Sequence, residues 1–461
     1  MEVLEFVSTD DIRLQFAHAM SRMYQQEVPL YAELLAIVDD VNRRELAADP
    51  EFAAQLERHG EFDRLNREYH GAIRLGTAEE LSMMRRVFAV MGMYPVGYYD
   101  LSVAGIPVHS TAFRPVQIEQ LNRNPFRVFT SLLRLDLIEN TALRDEALAL
   151  LETRQIFSAE TIRLVEQFEQ DGGLGADAAA RFVAAVLETF RWQSETLVDH
   201  ATYARLLDIH RLVADIVCFR GPHINHLTPR TLDIDAAQGE MLARGIEAKT
   251  VIEGPPPRDV PILLRQTSFK ALKEEIRFLG DAEGRSGTHT ARFGEIEQRG
   301  VALTPKGRVL YDSLLAETRG GAGSQPADHD ERMASAFRKF PDDLDSLRRE
   351  GLAYFRYELA GAGAQSRDVH DLEALIAEGI VDVRPIVYED FLPVSAAGIF
   401  QSNLGGGEQR AYNANAAQSA FEEALGSPVA DPFALYEAIE RDSIAAVHAA
   451  LGSAMAEHKI K

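Results

Sequence analysis

The chain has 461 residues, 46% of them hydrophobic, enough to bury a sizeable core in roughly two to four domain-sized units. Its formal charge of −23 argues against nucleic acid and anionic membrane surfaces as partners, because both attract through a basic patch; a small anionic substrate needs a pocket that gathers arginine locally. Cys218, the single cysteine, excludes an intramolecular disulfide and a cysteine-rich metal site, so a bound metal must be held by histidine and carboxylate. No run of about 18 apolar residues occurs. The start, MEVLEFVSTDD, is acidic where a secretory signal is basic and then apolar, so a cytoplasmic protein with no membrane partner is expected.

In chain order, DDIRLQFAHAMSRMYQQEVPLYAELLAIVDDVNRREL carries apolar residues at three- and four-residue spacing behind a Ser8-Thr9-Asp10 capping cluster. It predicts a helical region over 1–60. EYHGAIRLG predicts a strand, and TAEELSMMRRVFAVMGM a helix with Thr77 as N-cap and Glu80 three residues on. YPVGYYDLSVAGIPVHSTAFRPV predicts two strands around a Gly-Pro turn, completing a unit over 61–123. Residues 124–205 read as a mostly helical insert without a motif. Over 206–317 the first pattern returns: HRLVADIVCFRGPHINHLT leads into a strand, DIDAAQGEMLARG is a helix, IEAKTVIEG and VPILLRQTSFKAL are strands, and HTARFGEIEQRGVALT closes the unit. After the loop TRGGAGSQPADHD, residues 318–461 form a mixed region that includes the Gly-rich AAGIFQSNLGGG.

Placed on this repeat, His70 lies in the opening strand of the first unit, His226 at the opening of the second, and Glu295 in its closing strand. Pairing the two units would let strands far apart in sequence converge three ligands. Two histidines and one carboxylate on one triangular face leave positions open for substrate and O₂, as non-haem Fe(II) requires. The bland alternatives are a hydrogen-bonded structural histidine and a solvated edge-strand glutamate. Glu297, on the same face as Glu295, is a nearly equivalent candidate, whereas His223 and His226 fall on opposite faces of an ideal strand. Arg74, four residues after His70, and Arg265, on the strand that also carries Thr267, are either surface ion-pair partners or forks for substrate carboxylates.

FGEIEQRG resembles the metal-ligand strand of the vicinal oxygen chelate superfamily. Together with REYHGAIRLGT, GPHINHLTPRTLDID, RQTSFKAL, FGEIEQRGVALTPKGR and AAGIFQSNLGGG, it is similar over essentially the whole chain to the 2-oxoadipate dioxygenase/decarboxylase family. The resemblance implies an α+β fold of paired βαβββ units, a curved sheet around a metal cleft with helical additions. It implies Fe(II) as cofactor, with a small 2-oxo dicarboxylic acid and O₂ as partners: 2-oxoadipate would become 2-hydroxyglutarate and CO₂ in lysine catabolism. By motif, His70, His226 and Glu295 would hold iron, Arg74 and Arg265 would bind substrate carboxylates, and Ser402 would line the pocket beside the equally polar Gln401 and Asn403. An O₂-independent metal isomerase or hydrolase, or a non-catalytic binder of small acids, are the competing classes.

Overall fold

The structure is a computed structural model that describes residues 5–58, 61–65, 67–280, 286–318, 326–360, 371–392 and 414–458. The fold is α+β, and the chain divides into two compact units interleaved in sequence. The first comprises Met1–Glu253, Gln266–Gln298 and Phe391–Ala430; the second comprises Gly254–Arg265, Arg299–Asp390 and Asp431–Lys461. No helix among the described residues is long and apolar enough to cross a membrane.

The first unit is built on a five-stranded sheet. Strand β1 (Tyr69–Leu75) is followed by the helix Ala78–Val90 and by β2 (Tyr94–Asp100), β3 (Val108–Arg114) and β4 (Arg127–Leu133), a βαβββ run. The helix starts where the residues predict: Thr77 Oγ1 accepts from the Glu80 backbone N–H at 3.2 Å, and the Glu80 carboxylate accepts from the Gly76 N–H at 2.7 Å. Strand β5 (His226–Pro229), the helix Ile234–Ala243, β6 (Leu264–Ser268) and β9 (Glu295–Arg299) follow, with a hairpin of β7 (Glu274–Arg277) and β8 (Ser286–His289) set between the last two. Sheet order is β2-β3-β4-β1-β5; β1 is parallel to β4 and antiparallel to β5, and β6 pairs with β9.

Two expectations need correction. Arg127–Leu133, read as the start of a helical insert, is a strand that pairs with both β1 and β3. IEAKTVIEG forms no strand; it meets β6 and its flank only at the isolated bridges Ala248–Phe269 and Glu253–Gln266.

Strand parity then sorts the sheet. Ile73 and Leu75 of β1 and Val128 and Leu132 of β4 join Met84 and Phe88 of the following helix in the apolar core, together with Ile12, Phe16 and Met20 of the N-terminal helix Thr9–Glu27. The opposite parity, His70, Ala72 and Arg74 on β1 with Arg127, Phe129 and Ser131 in register on β4, makes the other face. Gly71 lets β5 lie close on β1, because a β-carbon there would sit 2.6 Å from Ile224 Cδ1 and 3.3 Å from the His226 carbonyl oxygen.

In the second unit, β10 (Phe355–Leu359) and β11 (Val381–Pro385) form an antiparallel pair. The helix Pro432–His458 covers the free edge of β10: the backbone N–H groups of Phe355 and Tyr357 donate to Glu440 Oε1 and Ser443 Oγ at 2.8 and 3.1 Å.

Candidate metal centre

Register brings the three predicted ligands together. Ala72 pairs with His226 and His70 with Thr228, so β5 adds an imidazole and a hydroxyl to the polar face of β1. From β9, Glu295 Oε1 lies 3.2 Å from His70 Nε2 and 3.6 Å from His226 Nδ1. One donor atom each from His70, His226 and Glu295 lies within 4.8 Å of the others, all three residues are buried, and no other such group occurs among the described residues.

The surrounding hydrogen bonds select which atoms face inward. Glu295 Oε1 accepts from Thr228 Oγ1 at 3.0 Å and from Gln266 Nε2 at 2.8 Å. The single hydroxyl proton of Thr228 is thereby used, so at 2.9 Å its oxygen accepts from His226 Nδ1–H. That fixes the Nδ1–H tautomer and leaves Nε2 as a lone-pair donor. Burial pushes His226 down to about 4 against the opposing pull of Glu295, so its ring is neutral at physiological pH, the form that binds metal. Burial also works to lower His70, but Glu297 and Glu295 outweigh it and hold the ring above the ordinary histidine range.

Glu297 stands behind His70, its Oε2 2.9 Å from Nδ1, although the contact lies off the line of a ring N–H. The carboxylate is braced in turn by Arg127 Nη1 at 3.3 Å; Arg127 Nη2 reaches Glu68 at 2.8 Å, and Arg230 Nη1 reaches the other Glu68 oxygen at 2.9 Å. Such a carboxylate orients a ligating imidazole and raises its basicity. Glu297→Gln is expected to lower metal affinity about 10- to 100-fold while the fold survives. Metal titration checks this, and an unchanged affinity would make Glu297 a partner of Arg127 alone.

Beside this group a cavity of about 200 Å³ is lined by Arg74, Arg211, Asp215, Lys249, Ser268 and Phe293, among others. Phe293 stacks on His226 with ring centroids 4.8 Å apart and planes at 18°, joining the cavity wall to a candidate ligand. Arg74 donates from Nη1 to Asp215 Oδ2 at 2.6 Å, both side chains being buried. His223 Nε2 lies 3.2 Å from Asp215 Oδ1, the other oxygen of the carboxylate that holds Arg74. Arg265 is buried but does not line the cavity; alternation along β6 turns it to the face opposite Gln266. Ser402, Gln401 and Asn403 lie outside the described residues.

Thr228, Gln266 and Asp215 were not singled out from the sequence. Thr228 had a signal, since it falls two residues after His226 and therefore on the same strand face. Gln266 is the opposite parity of the Arg265–Thr267 face, and only register with β9 brings it to Glu295. For Asp215, on the helix Arg211–Val217, no local pattern points to Arg74, 141 residues away.

The family model for 2-oxoadipate dioxygenase/decarboxylase matches residues 16–403. A Pseudomonas putida protein of that name is 56% identical over 460 residues, 98% of this chain and 99% of the relative. An Escherichia coli protein of the same name is 56% identical over 441 residues, 95% and 98% of the two chains. The crystal structure of hydroxyglutarate synthase from Pseudomonas putida in complex with 2-oxoadipate matches at 55% identity with a TM-score of 0.90, covering 97% of this chain and 99% of that one.

Proposed function

The chain belongs to the 2-oxoadipate dioxygenase/decarboxylase family, and from that premise we propose that it is a cytoplasmic Fe(II)-dependent enzyme of lysine catabolism. It converts 2-oxoadipate and O₂ to 2-hydroxyglutarate and CO₂. One observation carries the metal part of this reading: His70 Nε2, His226 Nε2 and Glu295 Oε2 are buried and have no hydrogen-bond partner. Two ring nitrogens and a carboxylate oxygen left unsatisfied in one place cost stability unless a cation completes them. The N,N,O donor set fits a divalent transition metal such as Fe(II).

Bound Fe(II) would supply chelation of the substrate's C1 carboxylate and C2 keto oxygen, and activation of O₂. The protein's own groups do the rest. Thr228 and Gln266 hold the Glu295 carboxylate through Oε1, and Thr228 keeps His226 in the tautomer that can ligate. Arg74 follows His70 by four residues on one strand face, about 13 Å along the strand, with the small Ala72 between them leaving room for the substrate chain. The guanidinium of Arg74 takes the remote carboxylate, fixing chain length and the carbon presented for hydroxylation. Phe391, in edge contact with His70 at 4.9 Å between centroids, and Phe293 keep water from the reacting end.

Oxygen uptake by Fe(II)-loaded protein across a panel of 2-oxo acids tests the reading, with 2-oxoadipate expected to be preferred and CO₂ release near one per O₂. Under ¹⁸O₂ one labelled atom is expected in the new carboxylate and the other in the hydroxyl, the latter diluted by any exchange with water. Full-rate, unlabelled product under argon would instead mean an isomerase or hydrolase.

A further inference from the structure

Arg74 does not stand in the cavity unsupported. The Asp215 oxygen that does not bind Arg74 accepts from His289 Nε2 at 2.8 Å and lies 3.2 Å from His223 Nε2. A carboxylate cannot donate, so Nε2 of His289 carries the proton. In the neutral ring Nδ1 then accepts from the Tyr203 hydroxyl, 2.8 Å away. The four members come from β1, the helix Arg211–Val217, β8 and the helix His200–Ile209, and all are at least nine-tenths buried. Phe219 and Trp192 wall the His289 ring at 4.8 and 6.2 Å between centroids. Burial works to raise Asp215, but His223 and Arg74 outweigh it and keep the carboxyl ionised. Because Arg74 spends one terminal nitrogen on Asp215, its remaining N–H groups are aimed by that contact instead of by a flexible four-bond stem.

We propose that Asp215, backed by His289 and Tyr203, is the positioning element for Arg74, and that this buried chain sets the preference for dicarboxylic over monocarboxylic 2-oxo acids by fixing the guanidinium. The inference rests on Arg74 as the residue that takes the remote carboxylate. Its test is anaerobic calorimetry on Fe(II)-loaded protein with 2-oxoadipate and with 2-oxohexanoate, which has the same chain and lacks the second carboxylate. Asp215→Asn is expected to weaken 2-oxoadipate about tenfold or more, the worth of a lost charge-assisted contact, while 2-oxohexanoate affinity and iron content stay as in the wild type. Tyr203→Phe, a milder change, is expected to move the same ratio about two- to fivefold and carries the test if Asp215→Asn does not fold. An unchanged ratio, or equal weakening of both ligands, overturns the inference, as does a wild type with no preference for the diacid. A wild type that binds the diacid selectively but consumes no O₂ overturns the proposed reaction and leaves this test intact.

Discussion

Alanine at His70, His226 or Glu295 is expected to strip iron from the protein and to abolish turnover of 2-oxoadipate. Each residue provides one of three donor atoms lying within 4.8 Å of one another, and two remaining ligands do not define the open face that substrate and O₂ share. No neighbour can take the vacated place. His223 is turned to Asp215 at 3.2 Å, and Glu297 is spread between His70 and Arg127. The loss should therefore exceed the roughly 10- to 100-fold usual for a residue that only orients a ligand. Iron content after anaerobic purification and an oxygen electrode check it, with His223→Gln expected to retain its metal. An iron-replete, active Glu295→Ala protein would sink the assignment.

Much of this centre could be read from the residues because strand parity is a local property. His70 and Arg74, two apart twice over, had to share a face, and Thr77 and Glu80 announced the helix that follows. What parity cannot say is which face meets the site. On β6 the residues allowed Arg265 with Thr267 or Gln266 with Ser268, and the pairing with β9 chose the second set for Glu295. Glu295 and Glu297 were equivalent for the same reason: they share a face, and only Thr228 and Gln266 on one side and Arg127 on the other distinguish them. Arg127–Leu133 escaped because RVFTSLL is short and mixes parities, and its strand state comes from β1 and β3 on its two sides. Tertiary pairing overrode local pattern there, as it did in the opposite sense for IEAKTVIEG, which meets its neighbours only at the isolated bridges of Ala248 and Glu253.

Arg74→Ala is expected to cut kcat/KM for 2-oxoadipate by about a hundredfold or more while iron binding stays nearly intact. Charge-assisted hydrogen bonds contribute about 1.5–3 kcal/mol each, and a guanidinium can offer two to one carboxylate. In a chain of net charge −23 the need is sharper, since an incoming dianion meets a repulsive field until a local cation offsets it. Alanine also removes the partner of Asp215, leaving a buried carboxylate beside His289 and His223 alone, so a drop in melting temperature is expected too. Arg74→Lys separates the two effects. Lysine restores a positive charge near Asp215 and should recover most of the stability, but a point charge cannot hold Asp215 and also present a planar fork to the substrate. Its kcat/KM should therefore remain at least about tenfold below wild type, one lost charge-assisted contact. Steady-state kinetics beside thermal melts read both quantities, and wild-type kinetics in Arg74→Ala would reduce Arg74 to a structural partner of Asp215.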